Sequence, residues 1–143
     1  MTLRRRAGNW RQICSAALRV SFSTELQDRL YQLALSVDQF CGSLPATQSA
    51  AEKGSQLRRS SFSASANYRA SRRARSRKEW LAKLGTVVEE LDEADHWMTA
   101  IRDSNITTPP QNLITKCQEL RAILAKSCAT ARRQLRRRKK PER

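Results

Sequence analysis

Apolar residues recur along this chain at the three-four spacing of helices that bury one face. Leu26, Leu30, Leu33, Ala34, Val37, Phe40 and Cys41 form one such stripe. It predicts a first helix from about Thr24 to Cys41, opened by a Thr24–Gln27 capping box and stopped by Gly42 and Pro45. A second helix is expected from about Thr47 to Arg73, with a middle rich in Ser and Ala that lets a neighbour approach closely. Trp80, Leu84, Val87, Val88, Leu91, Met98 and Ile101 mark a third, from about Arg77 to Asp103, behind a Ser76–Glu79 capping box. Thr108-Pro109-Pro110-Gln111 opens a fourth, carried on by Leu113, Cys117, Leu120, Leu124, Ala131 and Leu135. No run alternates with a period of two. Four amphipathic helices joined by short loops predict an all-α, up-and-down four-helix bundle. Its expected bounds are residues 23–135, between a basic N-terminal arm (1–22) and a basic C-terminal tail (136–143).

Charge changes the picture more than any motif. The 143 residues carry 28 Lys and Arg against 13 Asp and Glu, a formal net charge of +15. Such an excess opposes compaction by self-repulsion and calls for a polyanionic partner. The dominance of Arg, whose planar fork fits phosphate, favours nucleic acid over an anionic membrane or an acidic protein. Arg58, Arg69, Arg72 and Arg73 fall within about 60° of one helical face at 100° per residue. Arg59, Arg75, Arg77 and Lys78 widen that stripe into the third helix, and Arg132, Arg133, Arg136, Arg137 and Lys140 offer a second contact set. A stripe of this kind tracks phosphates without reading bases. The competing reading is a solvated face, with the acidic run Glu89 to Asp95 as internal counter-charge. Few aromatics interleave with the stripe, so base stacking has little support in the sequence.

Catalytic signatures are missing: one histidine, no Gly-rich phosphate loop and no Gly-x-Ser-x-Gly elbow. Asp95–His96 reads as a surface pair before it reads as a general base. A two-metal nuclease site from Glu89, Asp92 and Glu93 is the least favoured reading, since adjacent helix positions such as Asp92 and Glu93 point in different directions. Cys14, Cys41, Cys117 and Cys128 lack the Cys-x-x-Cys spacing of a zinc site. The expectation is therefore a non-enzyme with no cofactor and no bound metal. No run has the roughly 18 apolar residues of a membrane span, and the reading is a reduced, cytoplasmic protein. The arginine-rich, acid-free start shares its composition with transit peptides, although a basic arm is the preferred reading.

Several motifs carry a resemblance. They are Gln56-Leu57-Arg58-Arg59-Ser60, Ser63 with Ala66-Asn67-Tyr68-Arg69, Arg75-Ser76-Arg77-Lys78-Glu79-Trp80, Lys83-Leu84-Gly85, and Glu89-Glu90 with Asp92-Glu93 and Trp97. Over about 45 contiguous residues the chain resembles the four helix bundle protein family. That family includes proteins encoded in intervening sequences of bacterial large-subunit ribosomal RNA genes. It also includes the accessory variability determinants of diversity-generating retroelements. The resemblance implies a left-handed bundle assembled as a homopentamer. In the retroelement branch it implies a scaffold for a reverse transcriptase and its template RNA. Ala70 and Ser71 depart from the family's frequent acid after Asn-Tyr-Arg. From the residues themselves, a mid-helix Asn67 needs a polar partner, either an acid of the third helix or Gln56 of a neighbouring subunit. Gln56, Asn67, Tyr68, Trp80, Glu89, Glu93 and Trp97 thus read as structural or interface residues.

Overall fold

The computed structural model describes residues 7–138, with side-chain surroundings for Arg19 and for 21–138. Lys140 and the rest of the expected tail beyond residue 138 lie outside the described residues. Four helices account for nearly everything: α1 (Ala7–Gly42), α2 (Gln48–Ser71), α3 (Arg77–Asp103) and α4 (Gln111–Arg138). Successive helices pack on one another and α1 closes the ring on α4, while the diagonal pairs do not touch. The pairing runs antiparallel: Asp38 meets Arg58, and Thr24 meets Arg72. This is the expected all-α, up-and-down bundle. No described helix is long and apolar enough to cross a membrane.

The predicted stripes form the core. Leu30, Val37, Leu57, Leu84, Val87, Leu91, Ile101, Cys117, Leu120 and Leu124 are all buried. Burial pushes the thiol of Cys41 up to about 11 and that of Cys117 up to about 12, with nearby carboxylates adding to the effect. These cysteines behave as small apolar side chains. On α2 the small residues do what their size suggests. Ser60, Ser61 and Ala64 are buried, and α2–α3 is the most extensive of the four contacts. The serine hydroxyls donate back to the carbonyls of Leu57 and Arg58, so no buried hydroxyl is left without an acceptor. The α1–α4 contact is the least extensive, leaving a groove between those helices.

Helix α1 begins at Ala7, so residues 7–22 of the expected arm are helical and the Thr24–Gln27 capping box does not form. No proline interrupts residues 7–22, and the Ala, Leu and Arg there propagate a helix well, so the run of hydroxyls is no stop. Thr24 and Gln27 instead accept hydrogen bonds from the Arg72 guanidinium at 3.2 and 2.8 Å. At α3, Ser76 Oγ accepts from Glu79 N at 3.0 Å, as expected, but the Glu79 carboxylate accepts from Arg75 N, one residue outside a regular capping box. At the other end Asn105 takes φ 54°. There Ile106 N donates to Ile101 O and Asn105 N to Arg102 O, a Schellman closure that Asn tolerates in place of Gly.

Candidate nucleic-acid interface

Up-and-down topology gathers the charge at one end. The α2–α3 turn lies beside the middle of α1 and the last turns of α4: Arg72 reaches Thr24, Arg77 reaches Gln134, and a Cβ on Gly85 would stand 3.9 Å from the Arg132 guanidinium. Residues 69–83 hold seven basic side chains and one acid, and residues 126–138 hold six and none. The remaining bundle is different. Residues 24–68 balance four against four, and residues 84–125 carry three bases against seven acids. The molecule is therefore polarised along its axis, with one strongly basic pole and a mildly acidic body.

Most of the basic side chains at this pole have no carboxylate partner among the described residues. Among the described residues no carboxylate lies within ion-pair distance of Arg69, Arg72, Arg73, Arg75, Arg77, Lys78, Arg132, Arg133, Arg136 or Arg137. Arg72 and Arg77 are held by neutral acceptors, Gln27 with Thr24 and Gln134, which orient each guanidinium and leave its charge intact. Arg58 and Arg59 stand apart. Arg58 pairs with Asp38 at 2.7 Å across the α1–α2 seam. Arg59 pairs with Glu93 and, at 3.6 Å, with Glu90 across the α2–α3 seam. The expected stripe thus divides, with Arg58 compensated and Arg69 and Arg72 available. Arg73 lies past the end of α2, where a period of 100° per residue no longer places it.

A pocket of about 590 Å³ opens at this pole between α1 and the α2–α3 turn. Arg19, Ser23, Arg72, Arg75 and Arg77 line it together with Trp80. Trp80 is half-buried and packs partly against the core. Sequence spacing placed it on the apolar stripe, just after Arg75 and Arg77; the folded turn adds Arg19 and Arg72 around it.

The acids of α3 spread over two seams. Glu90 and Glu93 face Arg59, whereas Asp92 and Asp95 bind Arg121 at 2.6 and 3.2 Å. Glu89 is exposed. Among the described residues no three His, Cys, Asp or Glu side chains converge as a metal site would require. Asp95 is engaged by Gln118 and Arg121 rather than by His96, and His96 is exposed with its ring edge-on to Trp97. Asn67 donates to Ser63 O and Ser63 Oγ one turn back on its own helix. Within the chain no acid of α3 is its partner, and Gln56, the partner expected from a neighbouring subunit, is exposed and accepts from Arg59 of its own chain. The buried Tyr68 ties α2 to α1 by donating to Ser23 O at 3.3 Å. Trp97 donates its indole N–H to Glu93 at 3.2 Å.

The Arg59 hydrogen bond, then that of Trp97, hold the Glu93 carboxyl below its ordinary value of 4.5. A depressed carboxyl stabilises the fold above its unfolded value and loses that contribution as pH falls through the folded one. The destabilisation caused by Glu93→Gln is therefore expected at neutral pH and should shrink below about pH 4.5. Denaturation midpoints of both proteins across pH 3–7 check this, and a difference independent of pH would refute it.

No protein-family profile matches the chain, and no curated protein matches it significantly. Among solved structures, a Bacteroides thetaiotaomicron protein is similar, described as a protein of unknown function from the S23 ribosomal protein family. Its TM-score is 0.69 at 21% sequence identity, over 75% of this chain and 97% of that one. What the two share is the fold. The agreement spans almost all of the neighbour, so the four-helix core is common to both chains.

Proposed function

We propose that this chain is a non-enzymatic scaffold that binds nucleic acid through its basic pole. In this reading it serves as an accessory subunit of a reverse transcriptase of the diversity-generating retroelement type, holding template RNA or cDNA. One observation carries the reading: an accumulation of uncompensated cations at one end of a bundle whose body is mildly acidic. Repulsion among so many like charges is relieved when phosphates replace water and counterions around them. The contact set is Arg69, Arg72, Arg73, Arg75, Arg77, Lys78, Arg132, Arg133, Arg136 and Arg137. No cofactor or metal takes part. Self-association, as the resemblance implies, would set several poles side by side. The exposed side chains of Tyr31 (50%), Leu35 (38%) and Phe62 (36%) on α1 and α2 supply apolar contact area for it.

Purification from a native host at low salt tests the proposal. Recovery of a reverse transcriptase with a defined RNA, both released at high salt, is expected. Recovery of neither contradicts it. A second reading, a structural or protein-interaction module of the kind encoded in ribosomal RNA intervening sequences, is favoured by the ribosomal family name of the structural neighbour. It predicts that partner capture survives replacement of the pole arginines by Gln.

A further inference from the structure

We infer that the pocket between α1 and the α2–α3 turn takes one unstacked nucleotide, its phosphate held by arginines and its base laid on Trp80, so that the pole selects single strands over duplex. The inference rests on the nucleic-acid reading above and adds to it a subsite and a strand preference. Trp80 is backed by the core, which fixes the ring and spares the entropy of ordering it on binding. Around it stand Arg72 and Arg77, already oriented by neutral acceptors, and Arg75, whose side chain has no carboxylate within ion-pair distance among the described residues. A guanidinium carries five N–H donors, and the bonds to Gln27, Thr24 and Gln134 leave others for phosphate. The N-terminus of α3 begins at the same pocket, but Ser76 Oγ and the Glu79 carboxylate already cap it, so the guanidiniums alone supply the phosphate contacts.

Size and geometry agree with that occupant. A cavity of about 590 Å³ falls in the range of small-molecule sites, roughly 300–1,000 Å³. A base inside a duplex has both faces covered by its neighbours, so only an unstacked base can offer a face to Trp80. Duplex would meet the same arginines through its backbone alone. Trp80 is thus the residue by which strand form is discriminated, while the arginines serve both forms.

The test uses the full chain, a labelled twelve-residue oligouridylate and a labelled RNA duplex of equal charge, at low salt. Trp80→Leu is expected to weaken oligouridylate binding by about tenfold and duplex binding by less than about twofold. Trp80→Phe, which keeps an aromatic face, should retain most of the single-strand affinity. Oligouridylate should also quench indole emission in the wild type, and the quenching should vanish in Trp80→Leu although Trp10 and Trp97 remain. Should Trp80→Leu fold poorly, the Phe variant and the quenching still decide. Equal losses for strand and duplex, or no loss for either, would overturn the pocket assignment while leaving the basic pole in place. Failure of the wild type to bind both nucleic acids would instead remove the nucleic-acid reading itself, and this subsite with it.

Discussion

Replacing Arg73, Arg75, Arg132, Arg136 and Arg137 together by Gln is expected to lower RNA affinity about a thousandfold near 0.15 M salt. The magnitude follows from counterion release. Each neutralised phosphate of a single strand adds about 0.7 to the slope of log affinity against log salt, so five lost contacts remove about three decades relative to 1 M salt. All five side chains are exposed and lack a carboxylate within ion-pair distance among the described residues, so none has an internal role that would mask the effect. The matched control is Arg58→Gln with Arg59→Gln. Their guanidiniums are already engaged by Asp38, Glu90 and Glu93, and removing them should change affinity only a few-fold. Fluorescence anisotropy with labelled RNA measures both variants. Equal losses per charge removed, five charges in one variant and two in the other, would mean that overall charge matters and its placement does not.

The largest effect on stability is expected from Leu91→Ala, at about 2–5 kcal/mol. Leu91 is fully buried in the middle of α3, and its carbonyl accepts the Cys117 thiol at 3.4 Å. The cost should lie toward the upper part of that range because the surroundings cannot collapse into the cavity. Helix α2, packed most extensively on α3, buries Ser60, Ser61 and Ala64, short side chains with little reach to fill a void. Urea denaturation should show the loss as a lower midpoint with an unchanged slope. A change under about 1 kcal/mol would mean that the core repacks and that these stripes are less tightly specified than their burial implies.

Helix number, order and inward faces were legible because each stripe follows one period and each loop carries its own stop signal. The start of α3 is the clearest case, with Ser76 capping it as its sequence implies, whereas the left-handed Asn105 that closes the other end emerged only from the fold. The start of α1 was not legible, since Thr24 and Gln27 look like a cap and turn out to be acceptors for an arginine of another helix. The same kind of long-range partner decides the site. A helical wheel gives the azimuth of Arg58 but says nothing of Asp38, twenty residues away on α1. Nor can it place Arg73, which lies beyond the helix. The wheel shows stripes around a helix, whereas the functional grouping lies along the bundle axis and needs the topology. Trp80 was hidden for that reason, its spacing being that of a core residue. The Asn67–Ser63 bond spans one helical turn, and the i to i−4 spacing was the signal for it.

Salt titration of RNA binding by the wild-type chain tests the central claim most directly. If the pole neutralises about six or more phosphates of a single strand, affinity should fall about 300-fold or more between about 50 and 200 mM salt, with a log–log slope near about −4 or steeper. A flat response would contradict the account, since it would leave the cations of the pole without the phosphates they are proposed to meet.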